Sequence, residues 1–436
     1  MRTTARRTSR LAAATLASAL TALGTLSGAA AATPSRPLAA PAPATQSLAS
    51  TDYEYTAADL RIQRALKNRV TTSRFGTSFS GTVLDAASDR RIWSKGATSS
   101  LISASTTKLV TAHNALTVFG PKHRFSTSVK QGPSSNRVIV QGFGDPSLSS
   151  SHLDRMAATT AAKLKSRGLT SVRVYVDDDA FPKPSLAYGW KSSYVPKAVN
   201  PVRALVRDQR DVPDTSADVG TYFASRLKAH GISSVRYWGR DNVRSGASTL
   251  ASSQGWYVSS IVSRMLLRSD NEVAESLHKM VARATGRSAT WSNAKTAQAG
   301  VMAQEDLAMT ALYDGSGLSR ANRLSSLQLA SLVDRGQDSD ASALWPLRSS
   351  QAMPTAGRTG SLAAKYSRFA TSQSRCAVGK VWAKTGTLND VVSLAGYTYG
   401  TDGRLKVFAF VVNGKSSTLS LKQSVDMLAA TVNGCY

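Results

Sequence analysis

The 436-residue sequence predicts an α+β fold, helices packed on an antiparallel sheet, with a β-rich domain inserted after an early apolar helix. Three observations predict it. From Ser105 onward, Leu109, Ala112, Leu116 and Phe119 recur at helical spacing until Gly120-Pro121 stops the run. Between 125 and 258 the apolar runs shorten into strand-like pieces such as Arg137-Val-Ile-Val, Ser171-Val-Arg-Val-Tyr-Val and Val235-Arg-Tyr-Trp, separated by turn residues. Near the C-terminus, 378–383, 391–399 and 405–412 read as three successive strands joined by Gly/Asp turns.

In chain order, Arg2, Arg6, Arg7 and Arg10 precede an apolar run over 11–26 and the small residues Ser27 to Ala32, the pattern of an export leader over 1–32. The same segment left uncleaved would be an anchor, and Arg6-Arg7 would also suit a twin-arginine signal. Residues 33–50 read as a Pro/Ala-rich spacer with no capacity for a core. Residues 56–70 have helical spacing, and Gly81-Thr-Val-Leu-Asp with Arg91-Ile-Trp alternate as a strand pair. The expected insert, 121–257, contains two helical stretches near 153–166 and 216–230. A helical pattern returns over 257–285, broken by the polar Arg268-Ser269-Asp270-Asn271, followed by helices at 326–335 and 418–432. The remaining segments, 51–120 and 258–436, are thus expected to build one discontinuous main domain.

Hydrophobic residues make up 42% of the chain and charged residues 19%, which excludes a wholly disordered protein. Lys and Arg number 54 against 27 Asp and Glu, a net charge of +27, of which 23 positive charges remain if the leader takes its four arginines away. A surface of this kind attracts anions, and outside the cytoplasm anionic wall polymers are the expected class. No aromatic-basic interleaving argues for nucleic acid. The five histidines form no His-Glu-x-x-His pattern, no phosphate-binding glycine loop is present, and no metal or cofactor is expected. Cys376 and Cys435 are candidates for one disulfide, which would close a loop of about 60 residues and contribute roughly 4 kcal/mol in the chain-entropy model; two free thiols are the alternative.

Three short motifs carry the chemistry: Ser105-Thr-Thr-Lys108, Ser269-Asp-Asn271 and Lys384-Thr385-Gly386-Thr387. Ser-x-x-Lys alone is uninformative, since it recurs at Ser225/Lys228, Ser276/Lys279 and Ser292/Lys295. Context separates this set: Ser105 opens an apolar helix, Ser269 interrupts one, and Lys384 lies on a strand. Three residues along a helix, Lys108 returns to the face of Ser105 and is placed to take its proton. To do so Lys108 must be neutral, which requires burial or a neighbouring cation, and Lys384 is the candidate for that second positive charge. The N–H groups of Ser105 and Thr387 are the candidate oxyanion hole. Ser269 is placed to pass a proton to a leaving amine, Asn271 to bind a substrate amide, and Lys384, Thr385 and Thr387 to hold a terminal carboxylate. Gly386 keeps the strand surface open so that substrate lies alongside it. Asp270, between two functional positions, is expected to be structural, and the plain alternative for Ser105 and Ser269 is helix capping.

The three motifs resemble those of active-site-serine penicillin-binding proteins. With Gly142-Phe-Gly-Asp-Pro-Ser-Leu148, Asp314-Gly-Ser-Gly-Leu-Ser-Arg320 and Pro354-Thr-Ala-Gly-Arg-Thr-Gly-Ser-Leu362, the chain resembles the D-alanyl-D-alanine carboxypeptidase/endopeptidase family of low-molecular-mass, class C penicillin-binding proteins from about residue 55 to its end. The resemblance implies a transpeptidase/β-lactamase-like domain, an acyl-enzyme on Ser105, peptidoglycan stem peptides as substrate and β-lactams as covalent inhibitors. Ser105 and Ser269 stand closer in the chain than in better-known members, whose longer insert carries a further nested domain. Carboxypeptidase activity is therefore expected ahead of endopeptidase activity. A serine β-lactamase and a non-catalytic wall-binding or β-lactam-sensing protein are the rival readings; the long insert argues against the first and the complete set of catalytic residues against the second.

Overall fold

In chain order, the computed structural model describes residues 54–308 and 312–436. The expected leader over 1–32 and spacer over 33–50 lie outside the described residues. Helix α1 (Ala57–Arg69) starts at a capping box in which Thr56 and Asp59 satisfy each other's backbone N–H groups, and it buries Ile62 and Leu66 on one face. A short α2 (Thr72–Phe75) leads to the hairpin β1 (Phe79–Asp85) and β2 (Arg90–Lys95). Next comes a single 3₁₀ turn, Ala104–Thr107, and then α3 (Lys108–Phe119), buried at every residue from Lys108 to Leu116. The 3₁₀ turn refines the expected helix start: Ser105 sits on it, three residues before the α-helix begins at Lys108.

Strands β3 (Arg124–Gln131), β4 (Arg137–Gly142), β5 (Ser171–Asp177), β6 (Ser234–Arg240) and β7 (Thr249–Tyr257), with α4 (Ser150–Lys165) between β4 and β5 and α5 (Thr215–Ala229) between β5 and β6, make one sheet in the order β6-β5-β4-β3-β7. The sequence suggested β4, β5 and β6 but not β3 or β7. It also gave no hint that β4-β5-β6 run parallel; parallel neighbours need long crossovers, and α4 and α5 supply them. Their apolar faces pack on the sheet through Leu153, Leu164, Phe223 and Leu227 against Val138, Val140, Val174 and Val176.

The chain then forms α6 (Val258–Arg268), α7 (Asn271–Ala284), α8 (Trp291–Gln304), α9 (Ser326–Arg335), β8 (Val381–Leu388), β9 (Val391–Tyr399), β10 (Leu405–Asn413) and α10 (Leu419–Asn433). These later strands join the first hairpin in an antiparallel sheet ordered β2-β1-β10-β9-β8. Both faces of this sheet are covered. Ala395, Tyr397, Val407 and Val411 face α3, α6 and α9, whereas Val392, Leu394, Phe408 and Phe410 face α1 and α10. Double coverage explains why β9 and β10 are continuous apolar runs rather than alternating ones. Lys406 on β10 is buried with Asp59, Asp85 and Asp402 at 2.7, 2.9 and 3.1 Å, tying α1 to the sheet. Cys376 and Cys435 are joined, with their Cα atoms 6.1 Å apart, and fasten the end of α10 to the segment before β8. No helix among the described residues is long and apolar enough to cross a membrane.

Candidate active site

Ser105, Lys108, Ser269, Asn271 and Lys384 converge from three elements: the start of α3, the break between α6 and α7, and strand β8. Ala104, just ahead of Ser105, has φ 47°, a left-handed conformation that costs an alanine about 1 kcal/mol or more. Gly317 packs directly against this turn, since a Cβ on it would fall 1.9 Å from the Ala104 carbonyl oxygen. The strained turn holds the Ser105 hydroxyl toward Lys108, whose Nζ lies 3.1 Å from the Ser105 Oγ.

Lys108 is fully buried. Its amine also donates to Asn271 Oδ1 and to the Ser316 carbonyl, each at 2.7 Å. Those two partners only accept, so a neutral amine placing its two N–H bonds on them turns its lone pair to the Ser105 hydroxyl. Burial pushes the Lys108 amine down to about 8, against the opposing pull of Glu275, Asp314 and Asp270. Of the two expected causes burial is the one that acts; Lys384 contributes none of the shift at Lys108, and the cation effect runs from Lys108 onto Lys384. Lys384, also fully buried, is held well below the usual lysine range by desolvation first and then by Lys108 and Arg368.

Ser269 terminates α6 in a left-handed conformation (φ 57°) and accepts from Lys384 Nζ at 2.9 Å. It is thus a helix cap and a lysine partner at once. Lys384 also donates to the Thr385 carbonyl at 2.8 Å. Asp270 caps α7 by accepting from the Val273 N–H, the structural place expected of it. Asn271 differs from expectation. Its Oδ1 is taken by Lys108 and its Nδ2 donates to the Ala198 carbonyl at 2.8 Å, so in this arrangement it anchors Lys108.

Strand β8 is an edge of its sheet. Its first half is covered, with the Ala383 N–H donating to the Pro354 carbonyl at 2.9 Å. By the two-residue repeat of a strand, the N–H groups of Thr385 and Thr387 point to the same side, where the edge is open. At Gly386 the strand presses on the Ser105 turn: a Cβ there would lie 2.1 Å from Ser393 Oγ, 2.7 Å from the Ser103 carbonyl and 3.1 Å from the Ser105 nitrogen. The hydroxyl of Thr385 is hydrogen-bonded to that of Ser361 at 2.6 Å.

Sequence reasoning missed Glu275. One turn after Asn271, it is buried and accepts from the Gly315 and Ser316 N–H groups, both at 2.9 Å. Asp314 completes the support, accepting from the Gly317 N–H, the Ser319 N–H, the Asn322 amide and the Trp190 indole. Together they fix the loop that presents the Ser316 carbonyl to Lys108. Burial and the nearby Asp314 push the Glu275 carboxyl up. In the sequence Glu275 shares its helix face with Asn271, Glu272, His278 and Lys279, so it reads as part of an ordinary solvated polar face, and only its burial reveals the role.

A serine beside a buried lysine, a second serine-lysine pair and an open strand edge match the arrangement of motifs in penicillin-binding proteins and serine β-lactamases. The D-Ala-D-Ala carboxypeptidase 3 (S13) family matches residues 62–209 and 193–432. The chain is 30% identical over 353 residues to a carboxypeptidase of Mycobacterium tuberculosis, covering 76% of each protein. It is 29% identical over 380 residues to the carboxypeptidase DacB of Mycolicibacterium smegmatis, covering 81% of this chain and 80% of that one. Penicillin-binding protein 4 of Haemophilus influenzae shares the fold, with a TM-score of 0.68 at 17% identity, over 83% of this chain and 98% of the other. This chain belongs to the D-Ala-D-Ala carboxypeptidase 3 (S13) family.

Proposed function

We propose that the protein hydrolyses the D-alanyl-D-alanine bond of peptidoglycan stem peptides through an acyl-enzyme on Ser105, and that β-lactams acylate the same hydroxyl. Ser105 Oγ attacks the carbonyl carbon of the penultimate residue as its proton passes to Lys108 Nζ. The developing oxyanion is held by the N–H groups of Ser105 and Thr387. The C–N bond then breaks. Ser269, hydrogen-bonded to Lys384, gives a proton to the departing amine and is reprotonated by the proton that Lys108 took from Ser105, while the hydroxyls of Thr385 and Thr387 hold the carboxylate of the leaving residue. Water then attacks the ester as Lys108 takes its proton, and that proton returns to the Ser105 oxygen as the shortened peptide leaves.

The single observation that carries this reading is the Lys108 amine 3.1 Å from the Ser105 hydroxyl with its other contacts fixed on pure acceptors. Asn271 orients Lys108, and residues 121–257 act as an inserted domain beside the cleft. Export agrees with the paired cysteines, and the high positive charge favours retention on anionic wall polymers. The test is incubation with a muropeptide ending in D-Ala-D-Ala, followed by mass spectrometry. Release of one alanine, abolished by Ser105→Ala, is the expected result, and an unaltered muropeptide contradicts it.

A further inference from the structure

A cavity of about 730 Å³ has Thr385 and Thr387 in its wall, and Ser105, Lys108 and Asn271 take no part in its lining. Arg268, the last residue of α6, Arg358 and Lys365 from the loops before β8, and Lys422 in α10 all line it, and no acidic side chain does. Arg268, Arg358 and Lys365 are exposed and Lys422 is half-buried. Among the described residues none of these four has an ion-pair partner, whereas the further cation at the wall, Arg368, is buried and paired with Asp426 at 2.8 Å. Four uncompensated cations around one cavity repel each other, and an anion entering it relieves that repulsion.

The position of the cavity gives the ligand its chemistry. Thr385 and Thr387 receive the carboxylate of the leaving residue, so whatever extends past that carboxylate enters the cavity; the inference rests on this part of the proposed function. A departing alanine offers only a methyl group there, far too little for a space the size of a short-peptide site. We infer that the cavity binds the leaving-group half of a cross-linked stem peptide carrying free carboxylates, so that an acidic acceptor strand is cleaved in preference to its amidated counterpart. The missing nested domain therefore does not by itself remove endopeptidase activity, because the main cleft has its own acceptor site.

The experiment compares kcat/KM for three substrates: a D-Ala-D-Ala monomer, a cross-linked dimer with free acceptor carboxylates, and the same dimer amidated. It uses the wild-type chain and the surface double variant Lys365→Glu/Lys422→Glu, with Lys422→Gln as a milder second variant. The wild type is expected to favour the acidic dimer by about tenfold at low salt, with the double variant losing most of that ratio and Lys422→Gln part of it. Monomer cleavage should stay within about twofold throughout. Equal rates on the two dimers, or a ratio that survives the double variant, overturns the inference. Failure of the wild type to process the monomer and to take up penicillin overturns instead the active-site reading beneath it. A glycerol-phosphate polymer that binds the wild type and not the double variant, with no acid-amide difference between dimers, reassigns the cavity to wall polymer and overturns the peptide inference.

Discussion

If Lys108 is the base, acylation must follow its neutral fraction. With the amine pushed down to about 8, that fraction is about one-eleventh at pH 7, one-half at pH 8 and ten-elevenths at pH 9. The rate constant for acylation should therefore rise about fivefold from pH 7 to 8 and less than twofold from 8 to 9. The sign follows from the role: a base works deprotonated, so activity appears as pH climbs through the amine's pKa. The assay is the second-order labelling rate with a fluorescent penicillin, measured from pH 6 to 9.5 at constant ionic strength. A profile flat across that range would refute the assignment. A profile that falls with pH would refute a lysine base altogether.

Three further outcomes follow from the geometry. Glu275→Gln leaves one of the Gly315 and Ser316 N–H groups facing an amide nitrogen, so it should cost about 1–3 kcal/mol of stability by denaturant titration and slow acylation by letting the Ser316 carbonyl drift from Lys108; unchanged values for both would remove Glu275 from that role. Gly386→Ala forces a methyl into the Ser103 carbonyl and Ser393 hydroxyl, displacing β8 from the nucleophile turn. Penicillin labelling should fall about a hundredfold in a chain that still folds, and a near-normal rate would contradict the close approach. Replacing both Cys376 and Cys435 by Ser opens a bridge spanning 59 positions and should lower stability by about 4 kcal/mol in the chain-entropy model, with acylation below the unfolding transition unaltered. Equal denaturation midpoints for the oxidised wild type and the double variant would show the bridge to be dispensable.

The readable parts of the sequence were those whose local pattern matched the final environment. Ile62 and Leu66 of α1 lie four apart on a one-sided helix, and the polar break at Ser269-Asp270 separates two amphipathic helices, one closed by Ser269 and the next capped by Asp270. Strands β9 and β10 are buried on both faces, so their unbroken apolar runs were visible as strands. By contrast β3 and β7 are rich in Ser, Thr and Gln and are held by the backbone ladder between them, which leaves little trace in side-chain patterning. Helix α8 was missed because its buried stripe starts on the small Ala294 and Ala297 and passes through the polar Gln298 before reaching Val301 and Met302.

At the site, the motifs named the reacting groups but not what tunes them. The contacts that prepare Lys108 come from Asn271 and Ser316, each more than 160 positions away. No spacing rule could have revealed that Asn271 spends its amide on Lys108 and Ala198, or decided between burial and Lys384 as the cause of the depressed Lys108 amine. The same holds for the cationic cavity, whose walls come from α6, the loops before β8 and α10.

The central claim is that one hydroxyl, that of Ser105, forms the covalent intermediate. The direct measurement is the mass of the intact protein after exposure to benzylpenicillin, followed by peptide mapping. The prediction is a single adduct equal to the whole antibiotic, carried by the peptide that contains Ser105 and absent from Ser105→Ala. An adduct mapped to Ser269 or any other residue, or one that persists in Ser105→Ala, would contradict the account.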